Sequence, residues 1–357
     1  FISSGLNNSG RFTKETITSS QYQMDFIARA RFHLSQDIAA NALVGVGFNE
    51  QNLDDHGATS RGFFNPVAPP QLPNGTGITV FNQESHQRTA GAYSTLRLEF
   101  YDQLFVNLSG RFDYLSTLPE QNNGLFYPAA DLAWQFTKLL PSNKILSSGR
   151  LRLGYGKVGR GPSPYITRNV FFGPTAASVG WGEGWSPGID PSAYGGANAQ
   201  TLVAANPDIR PEIKTEVEGG LDLGFWKDRI NLKATYYDNK TEDLIIQVST
   251  PQSSGFVSQV TNAASIRNRG IELEWGLNLL RAKDIDWNIY GNFTRNRNEV
   301  LEMSGANQVF LSGFNDPGSS AVLGEQLGVL YGSGWERDVA EKLGIGGKRF
   351  SVTVGAS

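Results

Sequence analysis

Strict alternation of apolar and polar residues over long segments is the feature that most restricts the fold of this chain. Residues 216–225 alternate in this way, and so do residues 229–237, with Lys227 and Asp228 between them. Because successive side chains of a β-strand point to opposite faces, a period of two predicts strands with one apolar face. The short gap predicts a hairpin. The apolar positions are Val217, Gly219, Leu221, Leu223 and Phe225, then Ile230, Leu232, Ala234 and Tyr236.

The alternating segments are long for a soluble protein. They reach about 12 residues, whereas soluble strands are most often about 5–6 residues long. A strand that crosses a bilayer at a tilt needs about 9–11 residues. No window of about 18 apolar residues occurs, which excludes a transmembrane helix. The net charge of -3 gives no reason to expect nucleic acid as a partner. The sequence therefore predicts an all-β chain of membrane-crossing antiparallel strands.

The connections between the predicted strands alternate in length. Outer-membrane barrels have short periplasmic turns and longer extracellular loops, whereas a soluble β-sandwich has no reason to separate loop lengths. The pattern therefore favours a transmembrane β-barrel over a sandwich. About ten strands would leave unpaired edges in hydrocarbon, so we expect a partial barrel. Short turns are predicted near residues 33–36, 102–103, 138–148, 227–228 and 281–284, and longer connections at 49–87, 115–125, 159–211, 249–263 and after 298.

Three segments interrupt the alternation. Residues 1–21 are polar and predict a loop that leads into a first strand at Tyr22. Residues 49–87 include four prolines between positions 66 and 73, which predicts an irregular segment over most of this range. Residues 159–211 are dense in glycine, proline and aromatic residues and predict the longest loop.

The start of one predicted strand carries a motif. Asn206-Pro207-Asp208-Ile209-Arg210-Pro211-Glu212 resembles the NP-x-(L/I)-(K/R)-(P/W)-E motif of TonB-dependent outer-membrane receptors. Residues 262–272, NAASIRNRGIE, and residues 296–301, NRNEVL, are similar to the SusC/RagA-like branch of that family. The resemblance covers most of residues 22–335 and is most specific over residues 206–301.

The resemblance implies a plugged barrel of about 22 strands in the bacterial outer membrane. It implies TonB-dependent import of oligosaccharides or peptides, with TonB, a SusD-like surface lipoprotein, the glycan or peptide and outer-membrane lipid as partners. We expect residues 1–335 to form a barrel portion of about ten strands that lacks the plug and the TonB box. Residues 336–357 are assigned to a separate C-terminal segment, for which a further strand is one interpretation. A siderophore or metal-chelate receptor is the nearest alternative, and a secreted β-rich adhesin is the more distant one.

The sequence offers no set of residues for catalysis, a cofactor or a metal. The chain has no cysteine, and His33, His56 and His86 lack the spacing of metal ligands. No nucleophile elbow and no phosphate-binding P-loop occur. We therefore predict a transporter and not an enzyme.

The candidate ligand-binding residues are aromatic side chains of the predicted 159–211 loop, which can stack on sugar rings or hold peptide side chains. They are Tyr165, Phe171, Phe172, Trp181, Trp185 and Tyr194. The alternative is a small core inside the loop, and the sequence leaves both interpretations open.

The remaining conspicuous side chains are predicted to have structural roles. Four tryptophans are expected to face lipid or to form an aromatic girdle, namely Trp134, Trp226, Trp275 and Trp287. Charged residues of the polar strand faces are expected to pair with one another in the lumen, namely Arg29, Arg31, Arg97, Glu99, Arg111, Glu216, Glu218, Lys233, Glu272 and Glu274.

Overall fold

The structure, a computed structural model, consists mainly of long β-strands. It describes residues 10–63, 71–141, 145–172, 199–281, 283, 285–304, 307–313, 318–335 and 349–354. In chain order the strands are β1 (Arg11–Ser35), β2 (Ile38–Phe63), β3 (Gly75–Phe100), β4 (Leu104–Leu115), β5 (Gly124–Trp134), β6 (Leu146–Arg160), β7 (Phe171–Phe172), β8 (Ala199–Gln200), β9 (Val203–Ala204), β10 (Glu212–Phe225), β11 (Ile230–Ser249), β12 (Ser258–Arg281), β13 (Asp286–Met303), β14 (Gln308–Gly313), β15 (Gly318–Val322), β16 (Val329–Trp335) and β17 (Arg349–Val354). Short 3-10 helices lie in the connections, at Leu72–Asn74, Glu120–Asn122, Phe136–Leu139 and Gln252–Ser254.

Ten strands form one antiparallel sheet. Their order is β1 to β6 followed by β10 to β13, so each long strand pairs with its neighbour in the chain. The short strand β9 joins the same sheet by parallel pairing with the start of β12. The sheet is open, with β1 and β13 at its edges among the described strands. The predicted fold class, an antiparallel sheet of about ten strands from a larger barrel, is confirmed. No helix in the described part of the chain is long and apolar enough to cross a membrane.

One face of the sheet carries a continuous apolar belt. Phe26 of β1 pairs with Val46 of β2, and the row continues through Ala92, Phe112 and Phe126 of the next three strands. These side chains are exposed, and the belt is about 10 residues long in most strands, the length that a tilted membrane strand requires. An apolar face of this size is stable only against lipid, so the belt marks the membrane-spanning part.

The first three strands extend far beyond the belt. β1 begins at Arg11 rather than near Tyr22, and β2 pairs with β3 along almost its whole length. The predictions of a loop over residues 1–21 and of an irregular segment over residues 49–87 are therefore wrong in the described parts of both ranges. Beyond the belt both faces of this hairpin are in water, so no apolar alternation marks the strands. The one proline of the group in the described residues, Pro73, lies inside a 3-10 helix and interrupts no strand.

The connections confirm the predicted difference between the two ends of the sheet only in part, because the β5–β6 connection, residues 135–145, is predicted to be short but is longer than the β4–β5 connection, residues 116–123. β1 and β2 are joined by two residues, and β3 and β4 by a tight turn through Tyr101 and Asp102. Both residues have positive φ, 53° and 52°, and Gln103 N–H donates to Phe100 O at 3.0 Å, as in a type I′ turn. At the other end, β6 and β10 are separated by residues 161–211. We call this end the outer rim, since extracellular loops are the long ones.

Strands β14 to β17 form a separate four-stranded antiparallel sheet. The turn between β15 and β16 is bonded to β13: Val300 N–H donates to Glu325 O at 2.9 Å, and Gly324 N–H donates to Val300 O at 2.8 Å. Val300 is buried at this contact. The second sheet is thus attached near the outer end of β13.

Candidate functional site

A small apolar core at the outer rim holds the loops to the strands. Ile209 is fully buried in a cluster with Leu115, Leu118, Leu125 and Val260, which come from the β4–β5 region and from β12. The cluster therefore joins three distant parts of the chain where the membrane gives no support.

Polar side chains hold the backbone of residues 206–212, the sequence motif to which Ile209 belongs. The Asn122 side-chain amide donates to the carbonyl oxygens of Asp208 and Ile209, at 3.3 and 3.2 Å. Asn262 Oδ1 accepts from Arg210 N–H and its Nδ2 donates to Arg210 O, both at 2.8 Å. The motif that carries the family resemblance is therefore a structural clamp between the β4–β5 connection and β12. We call these contacts, with the apolar cluster, the rim clamp.

The two arms of the long 161–211 connection run together above the rim clamp. Asn206 N–H donates to Ile166 O at 3.0 Å, and Ala205 N–H donates to Asn169 Oδ1 at 2.8 Å. Farther out, β7 pairs with β8. The loop is thus anchored at its base on the outer rim.

Of the aromatic residues predicted to bind ligand, the structure describes those near the base of the loop. Tyr165 has a φ of 68°, and its hydroxyl accepts a hydrogen bond from His86 N–H of β3 at 3.2 Å. Phe171 and Phe172 form β7 and pair with Gln200 and Ala199. The other three lie outside the described residues: Trp181, Trp185 and Tyr194. A shared aromatic surface therefore remains a prediction.

The face opposite the belt contains a polar hollow below the rim clamp. It has a volume of about 590 Å³ and is formed by β10 to β13. Tyr237 OH donates to Asn296 Oδ1 at 3.1 Å, and Asn268 Nδ2 donates to Asn239 Oδ1 at 3.2 Å. Amide, hydroxyl and carboxylate groups of this kind can bind sugar hydroxyls or peptide groups. The lining residues are Lys214, Glu216, Glu218, Thr235, Tyr237, Asn239, Thr241, Asn268, Glu272 and Asn296.

Sequence reasoning missed this hollow. It considered the charged residues of the polar faces and not the uncharged ones. Asn239, Asn268 and Asn298 occupy directly paired positions on β11, β12 and β13. Three paired asparagines on a lumen-facing row can be found only once the register is known.

The predicted pairing of the lumen charges is confirmed only in part. Lys233 lies 3.1 Å from Glu274, whereas Arg111 pairs with Asp113 of its own strand at 2.7 Å. Four other predicted members line a second hollow of about 1020 Å³ and form no ion pair with any described residue. They are Arg29, Arg31, Arg97 and Glu99. One lumen contact was not foreseen: Asp222 bridges Arg150 and Arg152 at 2.8 and 3.0 Å.

Three of the four tryptophans lie on the outer face of the sheet. Trp134, Trp275 and Trp287 occupy outward positions of β5, β12 and β13, in register with the belt. Trp226 is half exposed in the turn between β10 and β11. The outward placement of these three agrees with the predicted lipid-facing role, and the role of Trp226 stays a prediction.

Two carboxylates beyond the belt have shifted pKa values. A side-chain hydrogen bond from Asp55, together with its charge, raises the pKa of Glu15. A hydrogen bond from Arg88 at 3.2 Å lowers the pKa of Glu50. Both groups lie on the hairpin extension of β1 to β3. In the described part of the chain, no three His, Cys, Asp or Glu side chains come together as metal ligands would.

Comparison with known proteins gives a consistent result. Residues 1–356 match the family described as TonB dependent receptor-like, beta-barrel. TonB-dependent receptor P3 of Formosa agariphila is 25% identical over 301 residues, which is 80% of this chain and 28% of that receptor. TonB-dependent receptor SusC of Bacteroides thetaiotaomicron is 24% identical over 303 residues, covering 78% of this chain and 28% of SusC.

Solved structures agree on the fold. The RagAB peptide transporter superposes with a TM-score of 0.73 at 21% identity, over 91% of this chain and 35% of that chain. The ferripyoverdine receptor of Pseudomonas aeruginosa superposes with a TM-score of 0.51 at 14% identity, over 95% of this chain and 41% of that chain. The chain spans about a third of the length of the relatives it matches. With its lipid-facing belt, polar lumen wall and matching family, the chain belongs to the TonB-dependent receptor-like β-barrels of the bacterial outer membrane.

Proposed function

We propose that this chain is the wall of a receptor that imports oligosaccharides or peptides across the outer membrane. The proposal rests on a difference in structural similarity, since the chain superposes better on a peptide transporter than on a siderophore receptor. The TM-score is 0.73 for the RagAB peptide transporter and 0.51 for the ferripyoverdine receptor. The sequence similarity to SusC supports the same choice. A siderophore receptor is the alternative.

We propose two contact regions for the cargo. The first is the polar hollow below the rim clamp, whose hydroxyl, amide and carboxylate groups suit a hydrated, uncharged or weakly charged cargo. The second is the 159–211 loop with Tyr165, Phe171, Phe172, Trp181, Trp185 and Tyr194, whose rings would stack on the cargo. The hollow lies on the lumen wall and the described base of the loop lies above it, so cargo would meet the loop base and the hollow in turn.

The proposed partners follow from the same assignment. TonB would supply energy through a plug and a TonB box beyond this chain, and a SusD-like lipoprotein would cover the outer rim. Residues 1–335 would belong to the barrel wall, and residues 336–357 would form a further segment of it. We propose transport and not catalysis, because the lumen residues are arranged for hydrogen bonding and the cargo needs no covalent change to pass.

Growth of a deletion strain tests the proposal. We expect loss of growth when a glycan or a peptide digest is the only carbon source, and normal growth under iron limitation. A gene copy in trans should restore growth. A defect restricted to iron limitation would replace the proposal by the siderophore alternative. Fractionation is the second check: recovery of the receptor in the soluble fraction without detergent would contradict a membrane barrel.

A further inference from the structure

On the outer face of β12 and β13, the apolar residues of the belt are followed by arginines at its outer edge. Ile271 of β12 and Phe293 of β13 point outward to lipid, and alternation places Arg267, Arg269, Arg295 and Arg297 on the same face. The register pairs Arg269 directly with Arg297, and Ile271 with Arg295. We call the four arginines the outer arginine cluster.

Among the described residues, the negative charges near the cluster compensate only half of it. Arg267 donates from Nε to Asp238 Oδ1 at 2.8 Å, and Arg269 lies 3.5 Å from Glu299. Arg295 and Arg297 are exposed and form no ion pair with any carboxylate among the described residues.

The direct pairing within the cluster is unfavourable by itself. Arg269 and Arg297 are cross-strand neighbours, and like charges in that position repel. Such a pair is stable when an anion lies between the two guanidinium groups. Within the described part of the chain, the cluster therefore lacks anions at Arg295 and Arg297, on the side that faces the membrane surface.

The depth of the cluster indicates which anion is available. Arg295 is two residues beyond Phe293, about 7 Å along the strand. The headgroup layer of a bilayer is about 5–7 Å thick on each side of the hydrocarbon. Phe293 and Trp275 are exposed on the same face, at 55% and 45%, below the cluster. Acyl chains on these rings would place a lipid headgroup beside Arg295.

We propose that the outer arginine cluster binds the phosphate groups of a phosphorylated glycolipid in the outer leaflet. The planar guanidinium fork donates two hydrogen bonds to one phosphate, which makes arginine well suited to this anion. The acyl chains of the same lipid pack on Ile271, Phe293 and Trp275. The lipid thus supplies the missing anions and covers the apolar surface beneath them.

Lipid binding to the receptor purified from outer membranes in a neutral detergent tests the proposal. The probes are lipid A with its two phosphates and the same lipid without phosphate, and the readout is native mass spectrometry at several lipid concentrations. We expect the dephosphorylated lipid to bind much more weakly. The double variant R295Q/R297Q should bind lipid A about 30-fold more weakly, since each arginine near a membrane surface contributes a factor of about five.

The controls separate this site from general charge effects. R295K/R297K keeps both charges and should retain most of the binding. R29Q/R31Q removes an equally spaced pair of arginines from the lumen face and should leave lipid binding unchanged. Equal binding of the two lipids to the wild-type receptor would overturn the proposal without any variant. So would the same loss of affinity in R29Q/R31Q as in R295Q/R297Q.

Discussion

Replacement of Ile209 by alanine tests the rim clamp. Ile209 is fully buried among Leu115, Leu118, Leu125 and Val260 at the outer rim. Removal of a buried isoleucine side chain beyond Cβ costs about 2–5 kcal/mol, and a value near 3 kcal/mol is expected in a small cluster that can partly collapse. If this cost falls on local opening of the clamp, the opening equilibrium increases about 150-fold.

Hydrogen exchange of peptides that cover residues 206–212 measures that opening. The Arg210 amide, which donates to Asn262 Oδ1, should lose most of its protection in Ile209→Ala. Ile209→Val removes one methylene and should raise the exchange rate about fivefold. Ile78→Ala on an exposed part of β3 is the matched control and should change it less than about twofold.

Two results would refute this reasoning. An increase below about fivefold in Ile209→Ala would show that the clamp does not depend on its apolar core. An equal increase in exchange over β1 and β2 would show that the substitution destabilises the whole sheet. In the second case the rim would not be a separate unit of local unfolding.

Three other results are expected. Trp181→Ala with Trp185→Ala should weaken cargo binding by about 1–3 kcal/mol per ring without loss of barrel assembly; unchanged affinity in an isothermal titration would assign the rings to a core inside the loop. Asp222→Asn should lower the urea midpoint of unfolding by much more than Glu274→Gln. The reason is that Asp222 bridges two arginines and is 15% exposed, whereas Glu274 is 62% exposed. Equal shifts of the midpoint in the two variants would contradict this ranking. Because the folded pKa of Glu15 is raised, its contribution to hairpin stability is present below the unfolded pKa and is lost as pH rises through the folded pKa. Exchange corrected for intrinsic rate should therefore show a less protected hairpin at neutral pH, and Glu15→Gln should remove this dependence.

The alternation of apolar and polar residues predicted the strands correctly where one face of the sheet contacts lipid and the other contacts water. Around Phe26 and Val46 one face contacts lipid and the other contacts the lumen, so each position carries a polarity requirement. Around Thr18 and Asp54, which pair in the extension, both faces contact water and neither face requires apolar residues. The strands of the extension were missed for that reason. Backbone pairing continues there without a signal in the side chains.

The site was harder to predict than the fold, because it depends on register. The aromatic residues of the long loop were found by composition alone, and Tyr165 proved to bond the free edge of β3 beyond the end of β4. The polar hollow was missed because its asparagines are far apart in sequence. Asn239 and Asn268 are neighbours only through the pairing of β11 with β12.

The contacts of the family motif limit where specificity for cargo can lie. Ile209 is buried, the Arg210 backbone is bonded to Asn262, and the Glu212 carboxylate accepts from Ile245 N–H at 2.9 Å. Groups already committed to these contacts have little capacity left for a ligand. The belt residues face lipid and are equally unavailable. If the proposed import function is correct, differences in cargo between receptors with this wall should therefore arise in the lumen hollow and the loop above the clamp, because both can change without loss of the sheet.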